Sequence, residues 1–213
     1  RTSWPALVWF RGEWVMLWQD GKRGKKWDGP YWFMLTTSRD GTTWSAPRRL
    51  EVPEGQQCLP DVCVWQERLC MLAHSYHEGY RLLVSSDLVE WDESRLMLGD
   101  TGRPGLFSKG EDLYLTYAHW CNTHSIGDSV ELLRSGDGRS WEWLPPPVPQ
   151  RGHGVNDACG IAVGKRLHLV WRELEYADEP LKLVKSSYSE DNGTTWSTPV
   201  QIDCLHTREF PRR

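Results

Sequence analysis

The chain has 213 residues, enough for one domain with a substantial core. Its net charge of −4 leaves no basic footprint for nucleic acid, and no apolar run approaches membrane-spanning length. The six cysteines, Cys58, Cys63, Cys70, Cys121, Cys159 and Cys204, form no C-x-x-C pair and no metal-ligand pattern, so neither a metal nor a cofactor is expected.

Residues 1–50 read as a first unit. The apolar, β-prone runs "ALVWF" and "EWVMLW" flank Arg11-Gly12, a hairpin signal. A third strand, "YWFMLTTS", leads into "SRDGTTWSAP", and the short run "PRRLEV" follows. Residues 51–100 repeat the plan: "DVCVW" and "RLCMLA" flank Gln66 and Glu67, then come "YRLLVSS" and "SSDLVEW". Cys63 and Cys70 face each other across that hairpin and read as two small core residues, although the spacing also permits a cross-strand disulfide. In residues 101–150, "GLFS" and "DLYLTYA" flank Lys109-Gly110, and "VELLRS" leads into "SGDGRSW". In residues 151–204, "GIAV" and "RLHLVW" flank Gly164-Lys165, and "LKLVKSS" leads into "SEDNGTTWSTP". The final stretch, 205–213, carries "REFPRR", which resembles the start of a unit and reads as the beginning of a fifth. "RTSWPALV" carries no leader pattern and reads as an internal start, so the chain is expected to be cut from something longer and its compartment stays open.

Asp40, Asp87, Asp137 and Asp191 recur at spacings of 47, 50 and 54 residues. A period near fifty marks a repeated supersecondary unit. No window sustains helical periodicity. The expected fold is all-β: a β-propeller built of four-stranded antiparallel blades, forming one domain over residues 1–213. The Ser-x-Asp cluster falls in the turn between third and fourth strands. There Asp and Ser accept hydrogen bonds from the turn's own amides, and Gly permits a positive φ. The following Trp covers the edge of the unit. One Asp per turn is too few carboxylates for a Ca²⁺ loop. The second copy is degenerate, with Leu88 and Val89 in the glycine region.

These four clusters resemble the Asp-box repeat of the sialidase (neuraminidase) superfamily, whose members are six-bladed propellers. The resemblance spans nearly the whole chain and implies four blades of a six-bladed ring. It also implies sialidase-like exo-glycoside hydrolysis of terminal sialic acid, or of a related sugar, on glycoconjugates. A secreted or cell-surface setting goes with it. Carried over by position, the general acid is Asp28, in the loop "DGKRGKKWDGP". The catalytic carboxylate of the fourth unit is Asp157, where the family has Glu, and the second carboxylate-gripping Arg is Arg172. Ser3 stands where the family has its first such Arg. The third Arg and the nucleophilic Tyr belong to a fifth and a sixth unit. Sialic acid carries its own carboxylate, so a Tyr nucleophile suits it better than a second carboxylate, and an Arg fork grips it bidentately.

The unit starts and strand ends supply further ligand candidates. Asp61 opens the first strand of the second unit, and Arg103 precedes Pro104 at the start of the third. His74 and His119 end second strands, the place Arg172 holds in the fourth unit, where Gln19 or Asp20 stands in the first. Each has a plain alternative: Asp28 among lysines as a solvated loop carboxylate, Asp157 as a strand-shaping residue, Arg172 paired with Glu173 or Glu175, and rim histidines without a ligand. Three functional readings stay open. One is the exo-glycosidase. Another is a non-catalytic propeller that binds glycan or protein. The third is a five-bladed hydrolase using carboxylates on successive blades, such as Asp61 and Asp157. The expected partner is a carbohydrate in the first and third.

Overall fold

A computed structural model describes residues 3–21, 31–50, 61–75, 79–96, 98, 104–120, 127–148, 154–174 and 182–202. Asp28 and Arg103 lie outside the described residues, as do Cys58, Cys121, Cys204 and the stretch 205–213. Every regular element among the described residues is a strand.

The first sheet runs β1 (Ser3–Phe10), β2 (Glu13–Gly21), β3 (Tyr31–Ser38) and β4 (Arg48–Arg49), paired in that order. The second runs β5 (Asp61–Trp65), β6 (Arg68–Ser75), β7 (Gly79–Ser85) and β8 (Asp92–Leu96) in the same way. The third comprises β9 (Gly105–Lys109), β10 (Asp112–Trp120), β11 (Gly127–Ser135) and β12 (Glu142–Val148). The fourth comprises β13 (Gly154–Val163), β14 (Arg166–Leu174), β15 (Lys182–Ser189) and β16 (Val200–Ile202), and β13 also meets β11 through Gly127 and Val155. Four antiparallel meanders of four strands are therefore present among the described residues.

The hairpins follow from left-handed turn residues. Arg11 and Gly12 have φ of 49° and 82°, and Gln66 and Glu67 have 48° and 58°, the twist that two-residue turns need. In the third sheet β9 continues through Lys109, so the turn is Gly110-Glu111 rather than Lys109-Gly110. Alternation then sorts the faces. Along β2, Val15, Leu17 and Gln19 are buried while Trp14, Met16 and Trp18 are half-buried.

The Ser-x-Asp turns close each sheet between third and fourth strands. Ser38 Oγ accepts from the Gly41 amide at 2.8 Å, and Asp40 Oδ1 accepts from Thr42 and Thr43 amides at 2.8 and 2.7 Å. Asp137 does the same with Arg139 and Ser140, and Asp87 with Val89 and Glu90. Asp191 accepts from the amide and hydroxyl of Thr195. The turn amides hold Asp40, Asp87 and Asp137 below the ordinary Asp range, and the Thr195 hydroxyl, then its amide, hold Asp191 there; Asp137 and Asp191 come down to about 2. Leu88 adopts φ of 67° where the third turn has Gly138.

The chain packs as two compact units. The first contains Arg1–Gly99, Leu106–Tyr114 and Arg134–Glu142, and its core joins Val15, Leu17 and Leu35 to Leu69, Met71 and Leu83. The second contains Asp100–Gly105, Leu115–Leu133 and Trp143–Arg213, with Tyr117, Leu132, Leu167, Leu169 and Trp171 buried.

Candidate functional site

Asp61 is the candidate whose side chain the structure places most fully. It is the first residue of β5, opposite Leu72 of β6. Oδ1 accepts the amide of Val62 at 3.0 Å, and Oδ2 accepts the amide of Leu106, on β9, at 2.6 Å. Burial pushes its carboxyl up to about 6, against the pull of these two amides. A carboxyl poised there exchanges a proton near neutrality, which ordinary carboxylates do not. Its hydrogen bond to Leu106 also ties the start of β5 to the start of β9.

Cys63 lies two residues further along β5, paired in register with Cys70. Both are thiols rather than a disulfide. The hydrogen bond with Cys70, burial and the nearby Asp61 charge all push the Cys63 thiol up. It is therefore no ready nucleophile.

Arg172 lies near the end of β14, between Asn156 of β13 and Val184 of β15, and is half-buried. Its sequence neighbour Glu173 is ion-paired with Lys185. Asp157 falls where the β13–β14 register slips, between Asn156 and Cys159. Such a bulge re-aims a strand locally and is frequent beside active sites. A matching slip occurs in β1 between Ser3 and Ala6.

The side chains of Asp157, His74 and His119 lie outside the described structure; their backbones are in β13, β6 and β10. Register separates the two histidines. Counted from the first residue of each second strand, His74 follows Arg68 as Arg172 follows Arg166 and as Gln19 follows Glu13. In β10 that position belongs to Ala118, and His119 comes one residue later. The same count selects Gln19, not Asp20, in the first sheet. The Leu106 amide, the strongest geometric partner of Asp61, was not foreseen. An amide 45 positions away leaves no mark in the sequence. Among the described residues no cluster of His, Cys, Asp and Glu could hold a metal ion, and no helix is long and apolar enough to cross a membrane.

No protein-family model matches the chain, and no curated protein matches it in sequence. Solved structures do match in fold. An α-L-arabinanase of Penicillium chrysogenum, complexed with arabinobiose, superposes with a TM-score of 0.72 at 14% identity, over 95% of this chain and 67% of its own. An α-L-arabinofuranosidase of Fusarium graminearum, also with arabinobiose, gives 0.70 at 14% identity, over 94% and 66%. A xylan β-1,4-xylosidase of Bacillus halodurans gives 0.62 at 16% identity, over 89% and 42%. The chain thus spans about two thirds of the first two and under half of the third. The likeness is one of fold: the chain has the four-stranded antiparallel blades of a β-propeller, shared with propeller glycoside hydrolases.

Proposed function

We propose that the protein is an exo-acting glycoside hydrolase that releases a terminal sugar from a glycan. The observation that carries this reading is Asp61, a half-buried carboxylate at the start of a blade that accepts the Val62 and Leu106 amides and that desolvation pushes up to about 6, in a fold shared with sugar-cleaving enzymes. Fold alone names no reaction, so the chemistry rests on residues.

Each role is assigned by itself. Asp28 is the acid that protonates the departing glycosidic oxygen. Asp157 is the carboxylate that activates the attacking group. Arg172 donates to a sugar oxygen, and Asp61, Arg103, His74 and His119 bind sugar hydroxyls or hold their protons.

The sugar is read as a neutral pentose. A sugar carboxylate calls for several convergent arginines. Ser3 supplies none at the first position, and losing one charge-assisted contact removes about 1.5–3 kcal/mol. The neighbours named above are an arabinanase, an arabinofuranosidase and a xylosidase, which fits. Sialic acid is the second reading, favoured by the four Ser-x-Asp turns and by Arg172 at its strand end.

The test is a panel of chromogenic α-L-arabinofuranoside, β-D-xyloside and α-sialoside substrates. Release from a pentoside at least tenfold faster than from the sialoside supports the first reading. The reverse order supports the second. No release from these or from any other terminal glycoside, with glycan binding retained, would leave a binding propeller and sink the hydrolase.

A further inference from the structure

β9 opens on a glycine that its backbone does not require. Gly105 is buried, and it is not among the residues with a left-handed φ, so an L side chain could adopt its conformation. Space is what excludes one. A Cβ added at Gly105 would stand 3.1 Å from the carbonyl oxygen of Ala158, 3.1 Å from the Cα of Cys159 and 3.2 Å from the Thr116 methyl. Among the described glycines it is the one whose Cβ would meet backbone closer than 3.4 Å. Gly12, Gly110 and Gly164 face open space and answer only to their left-handed turns. A strand glycine of the first kind marks the close approach of another backbone.

None of the three neighbours can swing aside. Two are main-chain atoms of β13. The third belongs to a side chain pinned by its other branch: Thr116 is fully buried, and its hydroxyl donates to the Glu131 carbonyl at 3.1 Å. Turning the methyl away would leave a buried hydroxyl unsatisfied. An extra carbon at residue 105 is therefore met by a shift of β13 against β9, by a few tenths of an ångström. Gly105, Thr116, Glu131, Ala158 and Cys159 all belong to the second compact unit.

The stretch that lies against Gly105 is the register slip itself. The slip runs between Asn156 and Cys159, and Asp157 is inside it. There the ladder with β14 is interrupted, so strand pairing does not by itself fix how far the bulge stands out. Contact with Gly105 supplies the missing constraint. We propose that Gly105 is a positioning residue: by lacking a side chain it lets the β13 bulge seat on β9, and this seat sets the backbone position of Asp157. The inference rests on the role given to Asp157 above.

The test uses the protein from its complete reading frame and the fastest substrate among the chromogenic α-L-arabinofuranoside, β-D-xyloside and α-sialoside. Misplacement by an ångström costs about a hundredfold, so a shift of a few tenths in Gly105→Ala should lower kcat by about tenfold, with KM within about twofold of the parent. Gly193→Ala is the control for lost packing. Its Cβ would be crowded more closely still, 2.9 Å from Leu132 and Leu144, but by side chains of β11 and β12 rather than by β13. Its kcat and KM should stay within about twofold of the parent. An equal fall in kcat in both variants would make Gly105 a packing residue and overturn the proposal, as would a raised KM at unchanged kcat. Hydrogen exchange reads the seat without turnover. Amides of Gly154–Val163 should exchange about tenfold faster in Gly105→Ala than in the parent or in Gly193→Ala, and unchanged exchange would contradict the seat. If the parent cleaves none of the three substrates, the hydrolase reading falls and exchange still decides the seat. Should Gly105→Ala fail to fold, the double variant Gly105→Ala with Thr116→Ser takes its place. It removes the methyl, keeps the hydroxyl, leaves both β13 contacts and carries the same expectations.

Discussion

Two kinds of carboxylate in this chain respond to pH with opposite sign. The turn aspartates are held down by hydrogen bonds within the turn, Asp137 by the Ser140 and Arg139 amides and Asp191 by the Thr195 hydroxyl and amide, so they favour the folded state above the ordinary carboxylate range, and that support is lost as pH falls toward 2. Asp61 is raised instead. Between about pH 4 and 6 the folded chain holds a proton there that the unfolded chain gives up, so stability declines as pH rises through that window, by about 2 kcal/mol. Denaturant titrations at pH 4, 5, 6 and 7 should show that decline in the parent and its absence in Asp61→Asn. An unchanged decline in the variant would assign it to another group. The serine of each turn is the buried partner of this arrangement. Ser189 is 1% exposed, its Oγ accepts the Gly193 amide at 2.8 Å, and its hydroxyl donates to Asp191. Ser189→Ala should cost about 1–3 kcal/mol, measured as a lower denaturant midpoint at constant slope.

At the scale of the element, a turn is also a seat. Gly193 combines a φ of 93° with a Cβ position 2.9 Å from Leu132 and Leu144, whereas Gly41, at φ of 73°, would meet only its own Trp14 at 3.6 Å. Gly193→Ala should therefore cost about 2–3 kcal/mol and Gly41→Ala about 1 kcal/mol. Equal losses in a denaturation comparison would show that backbone strain alone sets the cost. The sheets themselves were legible in the sequence. Strict alternation such as Val15, Leu17 and Gln19 marks a half-buried strand, and the Ser-x-Asp cluster marks where the third strand ends. The one shifted turn, at Gly110-Glu111, was missed because Gly at either position of a two-residue loop satisfies the same pattern. The site was less legible. Its candidates are single residues on separate repeats, so no local spacing announces them. What binds Asp61 is the Leu106 amide, and an amide has no residue type. Strand-end positions can be counted only once the turns are placed, and the count puts Ala118, with His119 one residue later, at the position of Arg172.

At the scale of the whole molecule, repeated blades give a scaffold, and activity depends on a few polar residues added to it. The proposed roles are proton donation by Asp28 and activation by Asp157. Asp157→Glu advances the carboxylate by one methylene, and a displacement of that order changes a rate by about a hundredfold. Asp157→Glu should therefore raise turnover on a sialoside if sialic acid is the substrate. It should lower turnover on a pentoside if the shorter arm suits that sugar, and the ratio of the two rates reads the specificity. The most direct test is turnover by the protein from its complete reading frame, beside Asp28→Ala, on the best glycoside of the panel. The account predicts that the variant loses about 10²–10⁴-fold in kcat while its circular dichroism and melting temperature match the parent. A variant as active as the parent would contradict it.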